Sequence, residues 1–281
     1  MRRAPAAAKI NLSLVVGAVR DDGLHELTSV FQRVDIADRV LVRPVSAGAA
    51  RLIDVDGFAE DTLIRAALQA IATETGCEGG FHATIEKHIP VAAGLGGGSA
   101  DAGVALRLAH ELVGAPLPEE RLVELAFAIG ADVPFFLTNG PQLVEGAGER
   151  MRPLELPQDY WVVVALAHGA RKPSTGEIYR RFDADSAERG YVQRRADLLG
   201  RLAACDRVRG LASLPGNDLA RYAGRESEAL VAELADLGAL RADVSGAGPA
   251  VYGLFLHERH AREAMGRLRR AHQVWLTVPV W

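Results

Sequence analysis

The residues best suited to chemistry lie in the run Pro90-Val91-Ala92-Ala93-Gly94-Leu95-Gly96-Gly97-Gly98-Ser99-Ala100-Asp101. Four glycines within five positions let successive backbone N–H groups turn toward one point without Cβ obstruction. An amphipathic helix is expected directly after them, and its N-terminal dipole adds positive potential. Together these features form a cradle for phosphate, with Ser99 able to cap the helix or donate to a phosphate oxygen. Two familiar phosphate motifs do not fit. The Walker A pattern needs a lysine after the glycines, and none is present; the dinucleotide fingerprint needs a sixth-place glycine, where Ser99 stands.

Two further residues have types that suit phosphoryl transfer to an alcohol, which needs a held triphosphate, a proton acceptor and charge compensation. Asp132 sits between Gly130 and Pro134, so its backbone is restrained on both sides. Taken alone, it reads equally as a general base or as the cap of a short turn. Lys9 heads an alternating stretch, with Asn11 on the same face by the two-residue period. Beside Asp132 it would keep the carboxylate ionised and favour a developing alkoxide; its ordinary reading is a solvated lysine. Only three of the 32 basic residues are lysines, namely Lys9, Lys87 and Lys172.

The elements that must position these residues follow from periodicity. Strands are expected at 10–16, 29–35, 39–43 and 51–55, with a turn at Asp21-Asp22-Gly23. A helix over 62–75, capped by Asp61 and ended by Gly76, leads to an alternating strand at 81–87. Helices follow at 99–113 and 119–129, then a loop-rich stretch with strand-like Phe135-Phe136-Leu137 and 142–146. The second half reads as a strand at 160–167, helices near 187–203, 217–223 and 226–237, strands near 241–245 and 249–256, a helix at 258–271 and a strand at 274–279. The absence of βαβ repetition argues against a doubly wound sheet or a TIM barrel and for an α+β fold in two lobes, residues 1–153 and 154–281.

Composition narrows the function classes. The chain has 281 residues, 49% of them hydrophobic and 24% charged, which is a globular balance. A net charge of −4 disfavours nucleic acid as a partner. The basic clusters Arg194-Arg195 and Arg267–Arg270 read as solvated helix faces. No apolar run approaches the roughly 18–20 residues of a membrane-spanning helix. Two cysteines, Cys77 and Cys205, exclude a disulfide scaffold, and with no signal-peptide core before Lys9 the expected location is the cytoplasm. His257-Glu-Arg-His260 lacks zinc-site spacing, and no dedicated metal cage is legible.

The motif Pro90–Ala102 resembles the phosphate-binding loop of the GHMP kinases, the group that includes galactokinase, homoserine kinase and mevalonate kinase. Other runs sharpen the resemblance: Lys9-Ile-Asn11-Leu, Asp22-Gly23-Leu24-His25-Glu26-Leu27, Gly130-Ala-Asp132-Val-Pro134, Gly216-Asn217-Asp218-Leu219 and Ser245-Gly-Ala-Gly-Pro249. They point to the branch acting on CDP-methylerythritol. The resemblance implies a two-lobed fold: a mixed N-terminal lobe with the glycine-rich loop, and a ferredoxin-like C-terminal lobe. It implies ATP and Mg2+ as cofactors, residues 90–100 at ATP, Asp132 as base, Lys9 as stabiliser of the nucleophile, and Asn11, Leu24, His25 and Tyr179 at the substrate. The branch carries tyrosine where this chain has Leu24, so one stacking wall for the cytosine becomes an apolar contact; Tyr179 is expected to stack and His25 to hydrogen-bond the base. Three readings compete: a homoserine- or mevalonate-type kinase would lack the Asp-Gly-x-His-Glu-Leu run, a silent ligand sensor need not keep both Lys9 and Asp132, and a nucleic-acid binder conflicts with the charge.

Overall fold

The computed structural model describes residues 1–45, 53–57, 62–77, 79–114, 117–170 and 174–281. They form two compact units built from interleaved segments. One comprises Met1–Ala8, Ile36–Val91 and Gly96–Asn139; the other comprises Lys9–Asp35, Ala92–Leu95 and Gly140–Trp281. Two long strands, β1 (Arg2–Val19) and β2 (His25–Val45), each contribute to both. Every residue from Ala8 to Gly17 is buried, which explains why β1 shows alternation only weakly and runs well beyond 10–16. The strands expected at 29–35 and 39–43 are one strand. The Asp38 carboxylate between the two stretches is fully buried and accepts from His88 N and Ile89 N, so the strand continues through it.

In the first unit the end of β2 pairs antiparallel with β4 (Gly80–Glu86), from Arg39↔Glu86 to Val45↔Gly80. A short strand, β3 (Ile53–Asp56), lies parallel to β4. The helices are α1 (Thr62–Glu74), α2 (Gly97–Val113) and α3 (Glu119–Ile129). The expected Asp61 cap lies outside the described residues, as does the start of the 51–55 strand. α2 buries Ala100, Ala102, Ala105, Leu106 and Ala109 and packs on α1. Phe135-Phe136-Leu137 is a 3-10 turn over Pro134–Leu137 and not a strand, because Pro134 presets a helical φ at its first position.

In the second unit the start of β2 pairs with β5 (Gln142–Gly146), which pairs with β6 (Arg150–Pro153). Then come β7 (Trp161–Ala167), α4 (Thr175–Ala184), α5 (Tyr191–Ala203), α6 (Val208–Leu211), α7 (Arg225–Asp236), β8 (Arg241–Val244), β9 (Val251–Phe255), α8 (Glu258–Leu268), β10 (His272–Thr277) and β11 (Pro279–Val280). The four strands β10-β7-β9-β8 form an antiparallel sheet in that order, the ferredoxin-like arrangement. Val163, Ala165, Val251 and Phe255 from the sheet meet Leu230 and Leu234 of α7 and Ala264 and Leu268 of α8. Each large side chain so buried contributes about 1.5–3 kcal/mol. A second cluster joins Leu14 and Val16 of β1 to Ile178 and Phe182 of α4 and to Leu219 and Tyr222.

Three expectations for this unit are corrected. The helix near 187–203 is α5, which opens only after Gly190 in the left-handed region at φ 76°, and α4 before it is a helix that periodicity did not predict. The helix at 217–223 is a bend with one 3-10 turn at Ala220–Tyr222, because the Asn217 side chain takes the Leu219 N–H for itself. Arg194 and Arg195 are not a solvated face: Arg194 Nη2 donates to Val16 O and Ala187 O, and Arg195 to Glu145 Oε1 at 2.6 Å. No helix among the described residues is long and apolar enough to cross a membrane.

Candidate active site

The chain passes between the two units inside the glycine run, with Ala92–Leu95 in one and Gly96 onward in the other. In the second unit the run meets Lys9 and Asn11. Lys9 N donates to Leu95 O at 2.9 Å, which docks the middle of β1 on the loop. The Lys9 side chain is 3% exposed; its Nζ donates to Asn11 Oδ1 at 2.7 Å and lies 4.5 Å from the centroid of the Phe31 ring. Asn11 Nδ2 in turn donates to Ser29 Oγ, and Ser29 Oγ to Ser13 O. The Lys9 amine is thus fixed in place by a polar side chain and an aromatic face. The ordinary solvated lysine is therefore not what stands at position 9.

A second turn, Ser245–Pro249, backs this arrangement. Ser245 Oγ donates to Gly94 O at 3.0 Å, and Ala250 N to Ala93 O at 3.0 Å. Gly94 has φ 84°, and a Cβ there would stand 2.3 Å from Ser245 O and 2.9 Å from Gly248 O. Glycine is thus required both by conformation and by close backbone approach. At Gly246 (φ 56°) a Cβ would come within 3.5 Å of both Lys9 Nζ and Asn11 Oδ1. Asn217 holds the turn in place: its Nδ2 donates to Val244 O at 2.9 Å and Gly246 O at 2.6 Å, and its N–H to Asp243 Oδ2. Neighbouring Asp218 accepts from Val16 N at 2.8 Å and from Arg194. Burial pushes the Asp218 carboxyl above its ordinary value, and these donors only partly offset it.

In the first unit, Gly96 begins α2 in the left-handed region at φ 71°, with no side chain capping the helix. The first intrahelical bond is Ala100 N to Gly96 O at 2.8 Å, so the amides of Gly97, Gly98 and Ser99 have no carbonyl one turn back. That is a helix N-terminus open to an anion, with Ser99 half-buried at its first turn. Upstream, Pro90 is half-buried and Val91 exposed, and Ala92 adopts φ 56° without being glycine, a strained conformation. Beneath the helix start, Lys87 Nζ reaches Asp38 Oδ2 and Asp101 Oδ2 at 2.5 and 2.6 Å. Burial pulls the Lys87 pKa down, but hydrogen bonds and charge from Asp101 and Asp38 outweigh it and hold it above the ordinary lysine value.

Asp132 belongs to this same unit, in the turn between α3 and the 3-10 turn, and is half-buried. Val133 N donates to Gly130 O at 3.0 Å and closes that turn. α2 packs directly on it: a Cβ at Gly103 would meet Phe136 Cβ at 2.7 Å and Val133 O at 3.2 Å.

His25 and Tyr179, 154 positions apart in sequence, are brought together. Their ring centroids lie 4.5 Å apart and tilted by 33°, and the Phe182 ring stands edge-on to His25 with its centroid at 6.1 Å. His25 Nε2 is 2.7 Å from Asp183 Oδ1. Leu24, beside them at the hairpin tip, is 43% exposed. Sequence reasoning did not single out Ser29, Asp38 or Asp183. No local spacing marks them, because each acts on a partner made by a distant segment.

Two family models match the chain: the GHMP kinases N terminal domain over residues 62–140 and the GHMP kinases C terminal domain over residues 192–273. The fold is accordingly that of a small-molecule kinase. The chain is 38% identical over 275 residues to 4-diphosphocytidyl-2-C-methyl-D-erythritol kinase of Symbiobacterium thermophilum, covering 93% of this chain and 92% of that protein. It is 37% identical to the enzyme of the same name from Desulfitobacterium hafniense, covering 97% and 93%. A crystal structure of 4-(cytidine 5'-diphospho)-2C-methyl-D-erythritol kinase superposes with a TM-score of 0.80 at 33% identity over the full length of both chains. A mevalonate kinase shares the fold with a TM-score of 0.77 at 12% identity. The chain belongs to the GHMP kinases, in the 4-diphosphocytidyl-2-C-methyl-D-erythritol kinase group.

Proposed function

We propose that this protein transfers the γ-phosphoryl group of ATP to the 2-hydroxyl of 4-diphosphocytidyl-2-C-methyl-D-erythritol, a step in non-mevalonate isoprenoid synthesis. The observation that carries the reading is the buried Lys9–Asn11 pair, docked on the glycine run by Lys9 N and backed by the Ser245–Pro249 turn. A buried, oriented lysine against a phosphate loop suits phosphoryl transfer better than ligand sensing, since burying the ammonium costs stability that a sensor need not spend.

In the reaction, residues 90–100 hold the triphosphate, with the open amides at the start of α2 on phosphate oxygens. Asp132 accepts the proton of the substrate hydroxyl as its oxygen bonds to the γ-phosphorus and the bond to the β-phosphate oxygen breaks, releasing ADP. Lys9 stabilises the negative charge that develops on the attacking oxygen, and Asn11 keeps its ammonium pointed there. Tyr179 and Leu24 offer the cytosine ring an aromatic and an apolar surface, and His25 hydrogen-bonds the edge of the base.

Among the described residues no group of three or more His, Cys, Asp or Glu is arranged to hold a metal ion. Magnesium fits here only as an ion arriving on the phosphates of ATP, with the Ser99 hydroxyl as the protein oxygen available to it. When bound, it neutralises phosphate charge. The test is ADP release measured with ATP and a panel of acceptors. Turnover that depends on 4-diphosphocytidyl-2-C-methyl-D-erythritol supports the reading; turnover with mevalonate or homoserine and none with that compound overturns it.

A further inference from the structure

One face of α4 is given over to His25. Tyr179, Phe182 and Asp183 stand at positions i, i+3 and i+4 of this helix, and all three touch the same imidazole. The two aromatic rings fix its plane, one tilted by 33° against its face and one edge-on at 82°. The carboxylate takes its Nε2 at 2.7 Å. Among the described residues this is the one hydrogen bond the His25 side chain makes.

An ionised carboxylate can only accept a hydrogen bond, so the nitrogen facing Asp183 must carry the proton. In a neutral imidazole the other nitrogen, Nδ1, then holds a lone pair and can only accept. Cytosine and uracil differ at the group next to N3: cytosine presents an amino donor there and uracil a carbonyl acceptor. An imidazole locked with Nδ1 as acceptor pairs with the first and opposes the second, leaving two lone pairs face to face.

We propose that Asp183 is a positioning residue that fixes the tautomer of His25 and so makes the site choose cytosine over uracil. The proposal rests on the reading that His25 addresses the base of the substrate. Asp183 does not touch the ligand; it sets the direction of one hydrogen bond.

The experiment measures CDP and UDP affinity by calorimetry at pH 8, above the ordinary imidazole range, for the full-length wild type, Asp183→Ala and Asp183→Glu. In parallel, 15N NMR of each protein reads which nitrogen of His25 carries the proton. The wild type should prefer CDP by about tenfold or more, the range of one mispaired buried hydrogen bond. Asp183→Ala should lose most of that ratio and the Nε2–H signature, and Asp183→Glu should recover both. Because the ratio compares two ligands on one protein, a general loss of folded protein does not alter it. Asp183→Ala with the wild-type ratio, or with the tautomer unchanged, overturns the proposal while the base reading stands. Equal CDP and UDP binding by the wild type overturns the base reading and the proposal with it.

Discussion

Gly94→Ala is the most direct probe of the loop. Gly94 adopts φ 84°, where an alanine costs about 1–2 kcal/mol. The added Cβ would lie 2.3 Å from Ser245 O and 2.9 Å from Gly248 O. Both are backbone atoms, so no rotamer change relieves the overlap and the 245–248 turn must shift, at about 1–3 kcal/mol for an overpacked site. The sum, about 2–5 kcal/mol, predicts a melting temperature lower by roughly 5–15 °C for a chain of this size. The shift also drags Ser245 off Gly94 O and disturbs the floor under Lys9, so kcat should fall as well. Gly98→Ala serves as the comparison: its Cβ would meet only Leu63 Cδ1, at 3.4 Å, and should leave stability within about 1 kcal/mol. Calorimetry of both variants decides the matter. If Gly94→Ala melts within a degree or two of the wild type, the close approach of the two turns does not dictate glycine at 94.

The remaining predictions concern charge and polar groups. Asp132→Asn and Lys9→Met should each lower kcat by roughly 10²–10⁴, the range for losing a proton-transfer or charge-stabilising partner; steady-state assays on folded protein check this, and near-normal turnover removes that residue from its role. Asn217→Ala leaves Val244 O, Gly246 O and Leu219 N without their partner and should cost about 2–4 kcal/mol, read as a lower urea midpoint. The pKa of Lys87 is raised, so the stabilisation from its pairing with Asp38 and Asp101 is complete below about pH 10 and is lost as pH rises through the shifted value. Lys87→Met strands two buried carboxylates and should destabilise by about 3–5 kcal/mol near neutrality. A stability from urea unfolding within about 1 kcal/mol of the wild type contradicts the buried ion triad.

Much of this arrangement could be read along the chain, and the exceptions have a common cause. The glycine run, the helix after it and the helix 119–129 are local signals, set by glycine freedom, periodicity and Pro118, and they survive folding with shifts of at most two residues. β1 was only partly legible, because a strand buried on both faces loses alternation. α4 was hidden by a helix-poor start at Ser174-Thr175-Gly176, where Ser174 supplies the cap by accepting from Glu177 N. Lys9 and Asn11 were legible as a pair on one face, yet nothing near them announces Phe31, Ser29 or the turn at 245–249. Asp183 carries no local mark, since its partner lies 158 positions away.

The strand bearing Lys9 and Asn11 is finished by residues made much later. Leu14 O accepts from Asp218 N, Asn11 O accepts from the Tyr252 hydroxyl across 241 positions, and the Ser245 hydroxyl closes on Gly94. At a synthesis rate of about 5–20 residues per second, the ribosome needs roughly 10–50 s to span that interval. Through that time Ile10–Val16 lacks the cover that Tyr252 and the Ser245–Pro249 turn later supply. Translation halted before residue 240 leaves Lys9 with Asn11, Ser29 and Phe31 but without the Ser245–Pro249 turn that backs the loop against them.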